Sequence, residues 1–184
     1  MKPINNFDTV QASTGEFARP TAGGYICKIM DVTDVPVDVN TGKGNYLKIE
    51  YDIADGDFKD YYNDQYAKWG GNWNASFIRS YKEKALGMFK HFTNCIEQSN
   101  AGYAWDWNES GLIGKVVGLV LGEEEYKNSM GEIKTKLVVS QIKTVEEIKN
   151  GDFKIPAPKK LTVENPTNSV AGFTPIDDDS DLPF

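Results

Sequence analysis

Runs of alternating hydrophobicity, one longer helical stripe and Gly- and Asn-rich turns between them predict a mainly β domain. The elements read in the order three strands, a helix, two strands and a short terminal helix. Five strands interrupted once, by a longer helix between the third and the fourth, is the order of an OB-fold. That is a partly open five-stranded Greek-key β-barrel whose face and loops bind oligonucleotides or oligosaccharides. The length of 184 residues leaves room for one domain of ordinary size with tails. Hydrophobic content of 40% and charged content of 26% are those of a soluble globular chain.

Residues 1–21 are polar and carry a Ser-Thr-Gly turn at 13–15 and Pro20. They show no sustained period and read as a flexible arm. Ala22-Gly23-Gly24 frees the backbone, and the first strand follows over Tyr25 to Val35. Tyr25, Cys27 and Ile29 fall on one face of it, Ile26, Met30 and Val32 on the other. Asp38 to Asn45, with Gly42 and Gly44, is turn chemistry. The clearest strand comes next: Leu47, Ile49, Tyr51 and Ile53 alternate with Tyr46, Lys48, Glu50 and Asp52. Asp55-Gly56-Asp57 is expected to close it as a hairpin turn, with Phe58 to Tyr66 as the third strand.

Lys68 to Asn74 is Gly-rich, carries Trp69 and Trp73, and reads as a loop. Ser80 and Glu83 have capping-box spacing ahead of a helix whose apolar face is Tyr81, Ala85, Phe89, Phe92 and Ile96. It should end near Asn100-Ala101-Gly102. Trp105 and Trp107 precede a turn at Asn108 to Gly111, and Tyr51 and Trp107 are assigned to the core. Lys115 to Leu121 is the fourth strand, with Glu123-Glu124-Glu125 as its solvated end. A turn over Tyr126 to Glu132 leads into the last strand, Ile133 to Ile142. Thr144 and Glu147 form a second capping box on a short helix that stops at Asn150-Gly151. Pro156-Ala157-Pro158 begins the exit from the domain.

The domain is thus expected to span 22–161, and 162–184 to be a disordered acidic tail. The chain has 27 acids and 20 bases, a formal net charge of -7. Five of the acids (Glu164, Asp177, Asp178, Asp179 and Asp181) lie in the tail, which has no Lys or Arg. The rest holds 20 bases against 22 acids, nearly neutral and compatible with a basic groove on one face.

The tail ends Asp177-Asp178-Asp179-Ser180-Asp181-Leu182-Pro183-Phe184. Leu182, Pro183 and Phe184 can enter an apolar pocket on another protein while Arg or Lys at its rim takes the carboxylates and the terminal carboxyl group. This ending resembles the acidic tip of bacterial and phage single-stranded-DNA-binding proteins. The body is similar to a family of phage-encoded proteins adjacent to replication and recombination functions. That similarity lies in Gly23-Gly24-Tyr25, Leu47-Lys48-Ile49-Glu50-Tyr51, Gly114-Lys115 and Val145 to Leu161. The resemblance implies an OB-like domain acting in DNA replication, recombination or repair, with single-stranded DNA and the enzymes of those processes as partners.

A binder that tolerates any sequence needs aromatic platforms for bases and cations along the phosphates. Tyr46, Tyr62, Tyr66, Trp69 and Trp73 are the candidate platforms. Lys43, Lys48, Lys68, Arg79, Lys134 and Lys136 are the candidate cations. No cofactor or metal site is expected, and no enzyme motif such as G-x-S-x-G, H-E-x-x-H or a P-loop is present. His91, the only histidine, is expected at a rim or core position. Glu132-Ile133-Lys134 with Asp106 matches part of a metal-dependent nuclease site, the enzymatic alternative; a protein-interaction adaptor that does not bind DNA is another. Cys27 and Cys95 lack metal-ligand spacing and read as reduced core residues. With no secretory signal or membrane span in view, the protein is expected in the cytoplasm, with homo-oligomerisation open.

Overall fold

The computed structural model describes residues 18–161, so the tail residues Asp177 to Phe184 and most of the arm lie outside the described part. Strands β1 (Gly23–Val35), β2 (Tyr46–Ile53), β3 (Ser76–Ser80), β4 (Val116–Lys127) and β5 (Ile133–Lys143) form one sheet ordered β3-β2-β1-β4-β5. Every neighbouring pair is antiparallel. β1 is shared between the two halves: Gly23 to Lys28 pairs with β4, and Cys27 to Val35 with β2. A register shift between Ile29 and Asp31 sits where β1 leaves one partner and continues with the other alone. Bulges of this kind bend a strand and increase its twist.

Three helices join the sheet: α1 (Tyr61–Trp69), α2 (Leu86–Ser99) and α3 (Val145–Asn150). Of the expected stripe, Phe89, Phe92 and Ile96 are buried on α2 together with Cys95, while Tyr81 and Ala85 precede the helix. α2 packs against β3, β4 and β5, and so touches both ends of the sheet. β3 and β5 do not pair. A groove of about 380 Å³, lined by Arg79, Met88, His91 and Ser140 to Lys143, lies between them. The sheet is therefore strongly curved over α2 but not closed by hydrogen bonds. The core gathers Cys27, Ile29, Ile49, Ile53, Phe92, Ile96, Leu112, Val117, Leu119 and Leu121. Cys27 and Cys95 are free and buried. Burial raises both thiol pKa values, that of Cys95 to about 11, and Asp52 adds to the effect at Cys27. No helix among the described residues is long and apolar enough to cross a membrane.

Several elements differ from the sequence reading. The expected third strand, Phe58 to Tyr66, is instead α1, and Asp55-Gly56-Asp57 leads into that helix rather than closing a hairpin. The third strand is Ser76–Ser80, which falls between the expected loop, ending at Asn74, and the expected helix start at Ser80. Ser80 makes no capping box. Its hydroxyl donates to the Asn45 carbonyl and accepts from Lys82 N–H, because it ends a strand paired with β2. β4 runs six residues past Leu121 and takes in all three glutamates, held by β5 on one side and by Lys159 on the other. Trp107, assigned to the core, is 79% exposed. The Thr144 box is formed as expected: Thr144 Oγ1 accepts from Glu147 N–H, and Glu147 Oε2 accepts from Thr144 N–H.

Candidate nucleic-acid interface

A cleft of about 470 Å³ opens between α1 with the loop that follows it and the β4–β5 ribbon. α1 contributes Tyr62, Tyr66 and Trp69, the loop Trp73, and the opposite wall Lys136 with Glu123, Thr135 and Leu137; Arg19 and Pro20 also line it. Four of the five candidate platforms and one candidate cation are thus brought together.

The position of α1 depends on a residue outside it. Asp60, at its N-cap, is in the left-handed region and makes no side-chain cap. The early N–H groups of a helix have no intrahelical acceptors. Those of Tyr62 and Asn63 donate to the Asp52 carboxylate on β2, at 3.0 and 2.9 Å, while Ile53 N–H donates to it at 2.8 Å. Asp52 is 1% exposed, and such acceptor duty is what lets a carboxylate be buried. Strand alternation assigns Asp52 to the outer face with Lys48 and Glu50, so this role is missed. Spacing did carry a sign of the helix: Phe58, Tyr62, Tyr66 and Trp69 recur at four, four and three.

The aromatics divide by depth. Tyr62 meets Tyr51 edge-on at 5.7 Å between ring centroids, and burial pushes its phenol up to about 12. Trp73 donates from Nε1 to the Tyr51 carbonyl at 3.0 Å and lies 5.8 Å from Tyr66. These two form the floor. Tyr66 is 49% exposed and Trp69 69% exposed, so they present open ring faces. Lys68 Nζ lies 5.4 Å from the Trp69 ring centroid. On the facing wall Lys136 is 3.4 Å from Glu124 and 5.8 Å from the Tyr126 ring. Exposed ion pairs of this kind are weak and exchange readily for a phosphate. Arg19 comes from a segment without periodicity, so nothing in the sequence marked it.

The remaining candidates do not line the cleft. Tyr46 and Lys48 project from the outer face of β2, opposite buried Leu47 and Ile49, and Lys48 is held by Glu50 at 2.7 Å. Lys43 is on the exposed β1–β2 loop. Arg79 lines the other groove, with its guanidinium 5.0 Å from the Phe77 ring centroid and burial lowering its pKa. Lys134 pairs with Glu132 at 3.2 Å on the β4–β5 hairpin. Asp106 lies between α2 and β4, and no group of three or more His, Cys, Asp or Glu side chains among the described residues is arranged to hold a metal ion. His91, at the rim of the second groove, has Nε2 3.0 Å from the Ile142 carbonyl oxygen. Comparison with protein-family models and with curated proteins yields no match.

Proposed function

We propose that the chain binds single-stranded DNA irrespective of sequence, in the replication or recombination of a phage or other mobile element. The observation that carries this reading is the cleft: open faces of Tyr66 and Trp69 on one wall, Lys136 on the other and Arg19 beside them. Stacking platforms and phosphate-seeking cations are what a sequence-tolerant single-strand site requires. The strand order supports an OB-like description, since β3 and β5 are the strands that would meet if the sheet closed around α2. In OB-folds the loop between strands four and five helps bind the ligand, and the β4–β5 ribbon forms a wall of this cleft.

In this reading the acidic segment recruits the enzymes that act on the coated strand. It also competes with DNA. Lys159 N–H donates to the Glu123 carbonyl, Glu125 N–H to the Lys159 carbonyl, and Leu161 N–H to Glu125 Oε2. The chain therefore passes beside the cleft wall at Lys159 to Leu161, and the carboxylates that follow in the sequence imitate phosphates. Deleting Asp177 to Phe184 should tighten DNA binding at low salt and abolish partner binding.

The test is titration of the intact chain with oligo(dT) and with its duplex at two salt concentrations, read by tryptophan fluorescence. Quenching by the single strand alone, weakened by salt, is the expected result. Absence of a response at low salt, before and after removal of 162–184, would refute the reading and favour a protein-interaction adaptor. Cleavage dependent on a divalent ion would favour the nuclease.

A further inference from the structure

Three irregularities meet in the segment between α2 and β4. Trp107 has φ 67°, a left-handed conformation that costs a bulky L-residue energy, and yet its ring is 79% exposed. The other positive-φ residues that are not glycine among the described residues are Asn45 and Asp60, residue types that tolerate the region. The only buried side-chain polar atoms without a hydrogen-bond partner among the described residues are Trp105 Nε1 and Tyr103 Oη. Leaving such a group unpaired costs free energy. Strain and unsatisfied groups persist where the surroundings enforce them, and they cluster at binding sites.

The segment is well supported from beneath. Trp105 packs on Phe89 of α2 at 6.0 Å and on Trp107 at 6.1 Å between centroids. The backbone N–H of Trp105 donates to Glu97 Oε1 at 2.8 Å. Lys115 Nζ lies 4.7 Å from the Tyr103 ring centroid. The outer Trp107 ring is held by this stack but covered on neither side to a degree that hides it from solvent.

We propose that this segment is a second base-stacking position, with the exposed, rigidly supported Trp107 ring as its platform. It rests on the reading of the cleft as a single-strand site. The occupant is a nucleobase rather than a phosphate, because Trp107 is flanked in the chain by the carboxylates of Asp106 and Glu109, while the Lys115 ammonium is engaged over the Tyr103 ring. Asp106 Oδ1 accepts from Asn108 N–H at 3.2 Å, which fixes a negative group beside the platform. A neutral π-face suits the exposed Trp107 ring, and stacking tolerates any base. The contribution of this position to affinity is accordingly independent of salt, unlike that of Lys136 and Arg19 in the cleft.

The test compares Trp107→Ala, Trp107→Phe and Trp69→Ala in binding to oligo(dT) of about 4 and of about 16 nucleotides, the span of sizes one OB-type domain covers. A salt series accompanies each titration, and thermal melts check the fold. Trp107→Ala should weaken the longer ligand about 5- to 150-fold, the equivalent of losing one stacked base. The shorter ligand and the salt slope should not change, and Trp107→Phe should restore most of the loss. Trp69→Ala should weaken both ligands. If Trp107→Ala leaves both unchanged, weakens both alike, or flattens the salt slope, the second position is refuted while the cleft reading stands on the Trp69 result. If Trp107→Phe is as weak as Trp107→Ala, stacking is refuted as the cause. If Trp69→Ala changes neither ligand, the cleft reading itself fails.

Discussion

Helices α1 and α2 are anchored in opposite ways. α2 buries Phe89, Phe92, Thr93, Cys95 and Ile96 and carries its own reason for being a helix. α1 has no buried residue and is fastened at its N-terminus by Asp52, ten residues before Tyr62. A helix that gives no side chain wholly to the core keeps its aromatics available for a ligand. The cost is that its position depends on one distant carboxylate. Structure and site are thus divided between two helices of the same small domain.

The largest way to break this contrast is at α2. Phe92→Ala should cost about 3–5 kcal/mol, because it leaves a cavity beneath the sheet. A global fall in melting temperature with all probes in step is the expected outcome. Loss confined to α2 would contradict the central place given to that helix.

Asp52→Ala should act more locally. It strands the N–H groups of Tyr62 and Asn63 and should cost about 1–3 kcal/mol. Hydrogen exchange at those two amides should accelerate well before exchange at the core of β2, and oligo(dT) affinity should fall with them. Unchanged exchange at Tyr62 and Asn63 would show that α1 does not depend on Asp52.

Thr144→Ala removes a capping box remote from the cleft and should cost about 1 kcal/mol, with oligo(dT) affinity unaltered. Any change in affinity would mean that α3, which packs on β1 and β4, communicates with the cleft through β4.

The smallest expected effect concerns pH. The Lys143 side chain first, and then Thr144 N–H, hold the Glu147 carboxyl below its ordinary value of 4.5. A carboxyl lowered in the folded state stabilises in full above its ordinary value and loses that contribution as pH falls through the folded value. The difference in melting temperature between the parent and Glu147→Gln should therefore be constant above about pH 5 and shrink in acid. A difference that grows in acid would reverse the assignment.

What was legible in the sequence follows the same division. β1, β2, β5, α2 and the Thr144 box could be read because each carries its determinants locally, as alternation, stripe or cap. α1 was not, because Asp55-Gly56-Asp57 looked like a hairpin turn and the residue that caps the helix lies on a strand. The cleft was half legible. Tyr62, Tyr66, Trp69 and Trp73 are close in sequence and remain together in space, so aromatic content alone pointed to them. The cations come from distant elements: Lys136 reaches the cleft through the β4–β5 pairing, while Lys48 and Arg79 are carried away by strand facing and by the second groove. Trp107 is not in the core because the left-handed backbone at its own position, which alternation and spacing do not reveal, leaves its ring exposed.

The most direct measurement compares oligo(dT) binding by Trp69→Ala, in the cleft, with binding by Tyr46→Ala, on the outer face of β2. Both side chains are aromatic and both rank as platforms from sequence. The account expects Trp69→Ala to lose about 1–3 kcal/mol, about 5- to 150-fold in affinity, and Tyr46→Ala to bind as the parent does. A loss at Tyr46 with none at Trp69 would move the interface to the outer sheet and contradict the assignment of the cleft.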